Sequence, residues 1–144
     1  MGIGRLLIPV TGHTTDKDAM ELASKIIDPN HGRIYALYVI KVPRESPVDA
    51  DLPKEIAIGE KALNEVEQFF QNLKIPVTAE FLQARDLGPA VLKEVEERNI
   101  ELVLFGALYE VRHGVYSPGT DVTYLLENIP CPTLILRGGI LSTN

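Results

Sequence analysis

The residues between 106 and 120 could bind a phosphate group. Gly106, Gly114 and Gly119 lie along this segment, and Thr120 follows the last of them. An apolar run at 102–105 precedes the segment and predicts a buried strand, whereas the apolar spacing after it predicts a helix. Unpaired N–H groups at a helix N-terminus attract anions. The pattern therefore predicts an anion site, although the same glycines could simply make turns and Thr120 could simply cap the helix.

The elements that position this segment alternate between strand and helix along the chain. Five strands and four helices in alternation predict an α/β fold with a parallel sheet covered on both faces. Gly106 is expected to end the fourth strand, and a loop from Ala107 to Gly119 to connect it to the last helix. The strands are predicted at 5–10, 33–42, 76–83, 102–105 and 133–136, with helices starting at Thr15 or Asp16 and covering 56–73, 86–99 and 120–129.

The length, charge and composition of the chain disfavour several classes of function. Its 144 residues predict a single domain over 1–144, with a core at about 4–137. The net charge of −6 and the pI near 5.0 disfavour nucleic acid and anionic membranes as partners. Apolar runs are too short for a transmembrane helix, and one cysteine excludes an internal disulfide. A cytoplasmic protein is expected.

Residues 101–137 resemble the C-terminal part of the universal stress protein domain. In nucleotide-binding members of that family, the end of the fourth strand carries Gly-x2-Gly-x9-Gly-Ser/Thr, which holds ATP phosphates. Here Gly106 matches the first glycine, Gly119 and Thr120 match the end, and Tyr109 stands at the position of the middle glycine. The closing sequence Pro-Cys-Pro-Thr-Leu-Ile-Leu-Arg, at 130–137, is also similar to the last strand of the family.

The resemblance implies a Rossmann-like fold of the adenine nucleotide alpha hydrolase type, an open five-stranded parallel sheet in the order 3-2-1-4-5. That order makes strands one and four the topological switch point, where open α/β sheets bind ligands. The loops 11–16 and 107–120 should meet there. The implied ligand is ATP or AMP, and the implied nucleotide-binding residues are Pro9, Val10, Thr11, Gly106, Tyr109, Gly119 and Thr120.

Three local features predict a degenerate site. Tyr109 adds a Cβ and a ring where the backbone of the family approaches the ligand. Asp121 places a negative charge in the first turn of the last helix, where it repels phosphate. Thr11 replaces the aspartate that contacts the nucleoside in the family. Arg112 and His113 could supply positive charge, and Tyr109 could stack on a base. We expect adenine-nucleotide binding to be weak or absent.

Metal and catalytic sites have less support in the sequence. His13 and His113 fall in the two loops that should converge, but no further ligand stands at a metal-binding spacing. No metal site is predicted, and the roles of both histidines stay open. The chain has neither GxxxxGK[ST] nor GxSxG, so no catalytic residue is predicted.

The sequence favours a universal stress protein-like regulatory or signalling domain that acts as a homodimer. Two alternatives stay open: an ATP-binding stress sensor with slow ATP hydrolysis, and an interaction module without a ligand pocket. The order 3-2-1-4-5 puts the last strand at the sheet edge, where uncharged residues leave N–H and C=O groups for a partner. Family members commonly pair this strand about a two-fold axis, so the homodimer should form through Thr133, Leu134, Ile135 and Leu136.

Overall fold

The computed structural model describes residues 2–112, 115–117 and 120–142, and the side chains of 2–107 and 120–137 among them. Strands and helices alternate until the fourth strand, as expected. The elements are β1 (Arg5–Val10), α1 (Thr15–Ile26), β2 (Arg33–Lys41), α2 (Pro53–Asn72), β3 (Val77–Ala84), α3 (Leu87–Arg98), β4 (Leu102–Arg112), β5 (Val115–Ser117), α4 (Thr120–Asn128) and β6 (Thr133–Ser142).

The sheet runs β3-β2-β1-β4 with β6 on the far side of β4, and all of these pairs are parallel. The predicted order 3-2-1-4-5 is therefore confirmed, with β6 as the predicted fifth strand. The core divides into two apolar clusters, one of which contains residues of α1 and α2 and the other residues of α3 and α4. Successive side chains of β1 pack into opposite clusters: Leu6 and Ile8 belong to the first, and Leu7 belongs to the second. This double burial explains the continuous apolar sequence of the strand.

The predicted end of strand four at Gly106 is wrong, and so is the loop predicted for 107–119. β4 continues through Gly106 to Arg112 and forms an antiparallel pair with β5. The last strand also continues beyond its predicted end at Leu136 and reaches Ser142, in parallel pairing with β4. The extended β4 pairs with β6 along most of its length and with β5 at Glu110–Arg112, and this pairing overrides the strand-breaking tendency of Gly106.

β1 and β4 separate soon after they start. Their register contains only Leu6 with Leu102 and Leu7 with Val103, although β1 continues to Val10. This separation marks the switch point. Val111 of β4 pairs with β5 on one side and with β6 on the other, so β5 takes the edge of β4 that faces β1. β5 and its antiparallel pairing with β4 thus occupy part of the segment where the sequence predicted a phosphate loop.

Candidate functional site

The turn between β1 and α1 lies at the carboxyl end of β1, beside the separation from β4. It begins with Thr11 and leads into α1 through Thr14, whose side chain makes no capping hydrogen bond. Gly12 has a φ of +84°, a left-handed conformation that favours glycine. The side chain of Thr11 is half-buried, and residues 12–14 are exposed. A ligand at the switch point would therefore meet this turn.

Asp16 organises the turn from the first turn of α1. The residue is only 7% exposed. The N–H of Thr11 donates to Oδ1 at 3.0 Å, the hydroxyl of Thr11 donates to the same oxygen at 2.8 Å, and the N–H of Gly12 donates to Oδ2 at 2.8 Å. Hydrogen bonds to a carboxylate are the stronger kind, so this arrangement fixes the backbone at the end of β1.

The pKa of Asp16 is raised above its ordinary value because burial penalises the charged form. Hydrogen bonds from Thr11 and Gly12 and the charge of His13 lower the pKa but do not cancel the effect of burial. The sequence predicted Asp16 only as a possible start of the helix, and its buried role was missed. The sequence signal that could have found it is an acidic residue in the first turn of the helix that follows a buried strand.

Gly106 packs against α1 and does not form part of a loop. The hydroxyl of Thr15 donates to the carbonyl oxygen of Gly106 at 3.2 Å, and Thr15 is buried. A Cβ added at Gly106 would lie 2.5 Å from the carbonyl oxygen of Thr15. Glycine is therefore required here so that the helix can approach the strand. The first glycine of the predicted motif serves packing in this structure.

The start of α4 carries its own negative charge. Thr120 begins the helix and is exposed, and Asp121 follows in the first turn. Oδ2 of Asp121 lies 2.5 Å from Nζ of Lys41 at the end of β2. This ion pair connects α4 to a strand on the other side of β1 in the sheet order. A phosphate at the helix start would have to compete with Asp121 for the positive end of the helix dipole and for the ammonium group of Lys41.

Tyr38 is a second residue near the turn that the sequence did not single out. Its ring stacks on Phe81 with a centroid distance of 5.9 Å, and both rings would meet a Cβ added at Gly59. Burial raises the pKa of Tyr38, and the charges of Asp16 and Glu55 raise it further. The phenol therefore stays neutral near physiological pH.

The residues predicted to bind nucleotide lie in different elements of the structure. Pro9 and Val10 are buried in β1, and Thr11 is half-buried at its end. Tyr109 lies within β4, paired with Ile140 of β6. The first turn of α1 brings Thr11 and Gly106 into one region, because Asp16 binds Thr11 and Thr15 binds Gly106. Gly119 and Gly114 lie outside the described residues.

No group of three or more histidine, cysteine, aspartate or glutamate residues in the described part of the chain could hold a metal ion. His13 lies in the exposed β1–α1 turn, and His113 is outside the described residues. The absence of a metal site stays a prediction. Among the described residues, no helix is both long and apolar enough to cross a membrane.

Comparison with known proteins gives a family match and a set of similar folds. Residues 2–137 match the model of the Universal stress protein family. A search of the curated proteins finds no match. A universal stress protein from Archaeoglobus fulgidus has a TM-score of 0.74 with 8% identity, over 94% of this chain and 98% of that chain.

Two further solved structures contain a nucleotide. One is a universal stress protein family protein from Arabidopsis thaliana with AMP bound, at a TM-score of 0.65 and 14% identity, over 93% of this chain and 91% of that one. The other is the universal stress protein from Archaeoglobus fulgidus in complex with dAMP, at a TM-score of 0.69 and 7% identity, over 92% and 96%. At these identities the structural likeness shows the fold, and the family follows from the match over residues 2–137: the chain belongs to the universal stress protein family.

Proposed function

We propose that this chain is a cytoplasmic regulatory domain that acts as a homodimer and binds adenine nucleotides only weakly. The observation that carries the proposal is that carboxylates of the chain itself use the groups that a nucleotide would need. Asp16 accepts the N–H groups of Thr11 and Gly12 at the end of β1. Asp121 holds the ammonium group of Lys41 at the start of α4.

The nucleotides bound by the relatives support the class of ligand. Relatives with the same fold are seen with AMP and with dAMP. Ligands of open α/β sheets bind outside the carboxyl ends of the strands at the switch point, and the split between β1 and β4 provides that place here. An adenine nucleotide is therefore the first ligand to test on this chain.

The weakness of binding follows from the phosphate end of the site. Gly106 is covered by α1, and β4 continues as a strand where a phosphate loop was expected. The start of α4 presents Asp121, whose charge opposes phosphate. These features remove the backbone loop and the free positive end that hold phosphates in such sites.

A titration calorimetry experiment with ATP and AMP tests the proposed affinity. We expect a Kd weaker than about 1 μM for both, which corresponds to less than about 8 kcal/mol of binding free energy. Purified protein should contain no stoichiometric nucleotide when its acid extract is analysed. A submicromolar Kd, or a nucleotide retained through purification, would contradict the proposal.

The proposed dimer uses the outer edge of β6 at residues 133–136. Within the described residues β6 pairs with β4 in the sheet, so its other side is an edge of the sheet, where a partner strand can add. Leu134 is 44% exposed on this strand, and Leu126 is exposed on the neighbouring α4. If the edges pair about a two-fold axis, both subunits use the same edge residues, and the assembly stops at a dimer.

Sedimentation equilibrium at micromolar concentration tests the dimer. A monomer has a mass of 15.9 kDa, so the proposal predicts about twice that mass. Leu134→Lys should shift the protein toward the monomer, because a charge at an edge strand opposes pairing. Leu73→Lys is the matched control, since it adds the same charge to an exposed leucine at the end of α2, away from β6. A wild-type protein of monomer mass would contradict the dimer.

A further inference from the structure

We infer that Arg5 and Arg33, at the amino ends of β1 and β2, form a site for a dianionic phosphate group. The site lies at the opposite end of the sheet from the switch point, because β1 rises about 20 Å between Arg5 and Thr11. It is therefore separate from the proposed nucleotide site, and it does not depend on nucleotide binding.

The two arginines are neighbours on the same face of the sheet. Arg5 and Arg33 are register partners in the parallel pair of β1 and β2, and paired strands lie about 4.8 Å apart. Leu7 and Tyr35, two positions further along each strand, belong to the apolar cluster that contains residues of α3 and α4. Because side chains alternate between faces, both arginines project from the α3 face, and both are exposed.

The partners of both guanidinium groups are uncharged. Nη1 of Arg5 donates to the carbonyl oxygen of Arg98 at 2.8 Å, and Nη1 of Arg33 donates to Oγ1 of Thr78 at 3.0 Å. Within the described part of the chain, neither Arg5 nor Arg33 forms an ion pair with a carboxylate. A guanidinium has several N–H donors, so each group is held in place and keeps donors for a ligand.

Arg98, at the end of α3, binds the carboxylates that lie near this pair. It forms ion pairs with Glu80 of β3 and with Glu94, whose Oε2 is 2.8 Å from Nε of Arg98. Cζ of Arg98 also lies 5.1 Å from the centroid of the Tyr35 ring. These contacts fix the end of α3, whose carbonyl oxygen in turn positions Arg5. The two positive charges on β1 and β2 are left for an external anion.

The charge and geometry of the pair fit a phosphate group. A phosphate monoester carries a charge of about −1.5 to −2 at neutral pH and has three acceptor oxygens. Its charge matches that of two guanidinium groups, and arginine binds phosphate oxygens through paired N–H donors. The exposure of both arginines gives access to free phosphate and to a phosphorylated segment of a protein.

An NMR titration of the wild-type protein tests the site and separates these two sources. The probes are inorganic phosphate, a blocked glycine pentapeptide with phosphoserine at its centre, and the same peptide with serine. We expect the phosphopeptide to bind at least about tenfold more tightly than the serine peptide, and to shift the amide signals at the amino ends of β1 and β2. Equal affinity for inorganic phosphate would identify the free anion as sufficient, whereas tighter binding of the phosphopeptide would indicate a protein segment. Either result supports the site.

Glutamine variants test the two charges. Arg5→Gln and Arg33→Gln each remove one charge but keep an amide donor for the carbonyl oxygen of Arg98 or the hydroxyl of Thr78. Each should weaken phosphopeptide binding by about fivefold or more, and Arg33→Lys should retain more affinity than Arg33→Gln.

Arg44→Gln is the matched control for these variants. Arg44 lies between β2 and α2, its side chain is 83% exposed, and it pairs with Asp86. The substitution removes the same charge from another part of the surface, so binding should change by less than about twofold. The thermal midpoint of each variant checks its fold.

Three results would overturn the inference. The first is that neither inorganic phosphate nor the phosphopeptide binds the wild-type protein at millimolar concentration. The second is that the shifted signals lie at the β1–α1 turn or the start of α4, which would place the phosphate in the proposed nucleotide site. The third is that Arg44→Gln weakens binding as much as Arg5→Gln and Arg33→Gln do. The proposed weak nucleotide binding is unaffected by the first and third results.

Discussion

The β1–α1 turn and the start of α4 are built differently. The β1–α1 turn is fixed by a buried carboxylate that accepts hydrogen bonds from three donors, whereas the start of α4 is tied to β2 by an ion pair with a half-exposed lysine. Buried hydrogen bonds to a charged group contribute about 1.5–3 kcal/mol each, but an exposed ion pair contributes about 0–1 kcal/mol. The β1–α1 turn is therefore held by the stronger contacts, and the start of α4 is held by a weak one.

The largest expected effect concerns the contact between β4 and α1 at Gly106, next to the first of these regions. Gly106→Ala places a Cβ 2.5 Å from the carbonyl oxygen of Thr15, so the helix must move. We expect the free energy of unfolding to fall by about 2–3 kcal/mol in a urea titration, because overpacking is added to the loss of the Thr15 hydrogen bond.

The matched control for this substitution is Gly4→Ala. The Cβ there would meet only a carboxylate oxygen of Glu101, the end of a flexible side chain. Its effect should stay below about 1 kcal/mol. If Gly106→Ala were as mild as Gly4→Ala, α1 would not be packed against β4 as described.

Thr11→Asp should destabilise the protein instead of restoring a nucleotide site. The new carboxylate would replace the hydroxyl that donates to Asp16 and would place a like charge beside it. We expect a loss of about 1–3 kcal/mol in the free energy of unfolding at neutral pH. Thr11→Asn is the uncharged control of the same size. A larger loss in Thr11→Asn than in Thr11→Asp would contradict the role of charge.

The pH dependence of stability should report Asp16. Its pKa is raised in the folded state, so the folded protein binds the proton more tightly than the unfolded chain. The contribution of Asp16 to stability should therefore increase as the pH falls through the raised pKa and stop increasing below the unfolded pKa. The difference in unfolding free energy between the wild type and Asp16→Asn, measured from neutral to acidic pH, should grow by at most about 1.4 kcal/mol per pH unit. A difference that shrinks over this range would contradict the burial of Asp16.

The smallest expected effect lies at the phosphate end. Asp121→Asn and Lys41→Met should each change the free energy of unfolding by less than about 1 kcal/mol, because the side chain of Lys41 is 52% exposed. Asp121→Asn should strengthen ATP binding about two- to fivefold, since it removes a negative charge near the helix start. Glu97→Gln, in an exposed ion pair of α3, is the control. An unchanged ATP affinity in Asp121→Asn would show that Asp121 does not oppose phosphate.

The periodic parts of the fold could be predicted from the sequence. The bounds of β1 agree with the prediction. A continuous apolar run between turn residues is typical of a strand that is buried on both faces of a sheet. The sheet order came from the family resemblance. The extension of β4 beyond Gly106 could not be predicted, because the glycine that usually breaks a strand is needed there for the approach of Thr15. Only the tertiary contact shows that requirement.

The candidate site shows the same limit. Thr11 was expected at the ligand, but the residue that accepts its hydrogen bonds is five positions further along the chain, in the next element. An aspartate in the first turn of a helix is ordinary in sequence, and its burial depends on how the turn folds back. Lys41 was likewise invisible as a partner of Asp121, because eighty residues separate the two. Contacts of long range decide the chemistry of this site.

The most direct test of the account is a comparison of the Kd values of adenosine and ATP for the wild-type protein under the same buffer conditions. The account closes the phosphate end of the proposed nucleotide site with Asp121. It therefore predicts that the triphosphate adds no affinity and that the two Kd values agree within about threefold. Binding of ATP at least about tenfold tighter than binding of adenosine would show a working phosphate site and would contradict the account.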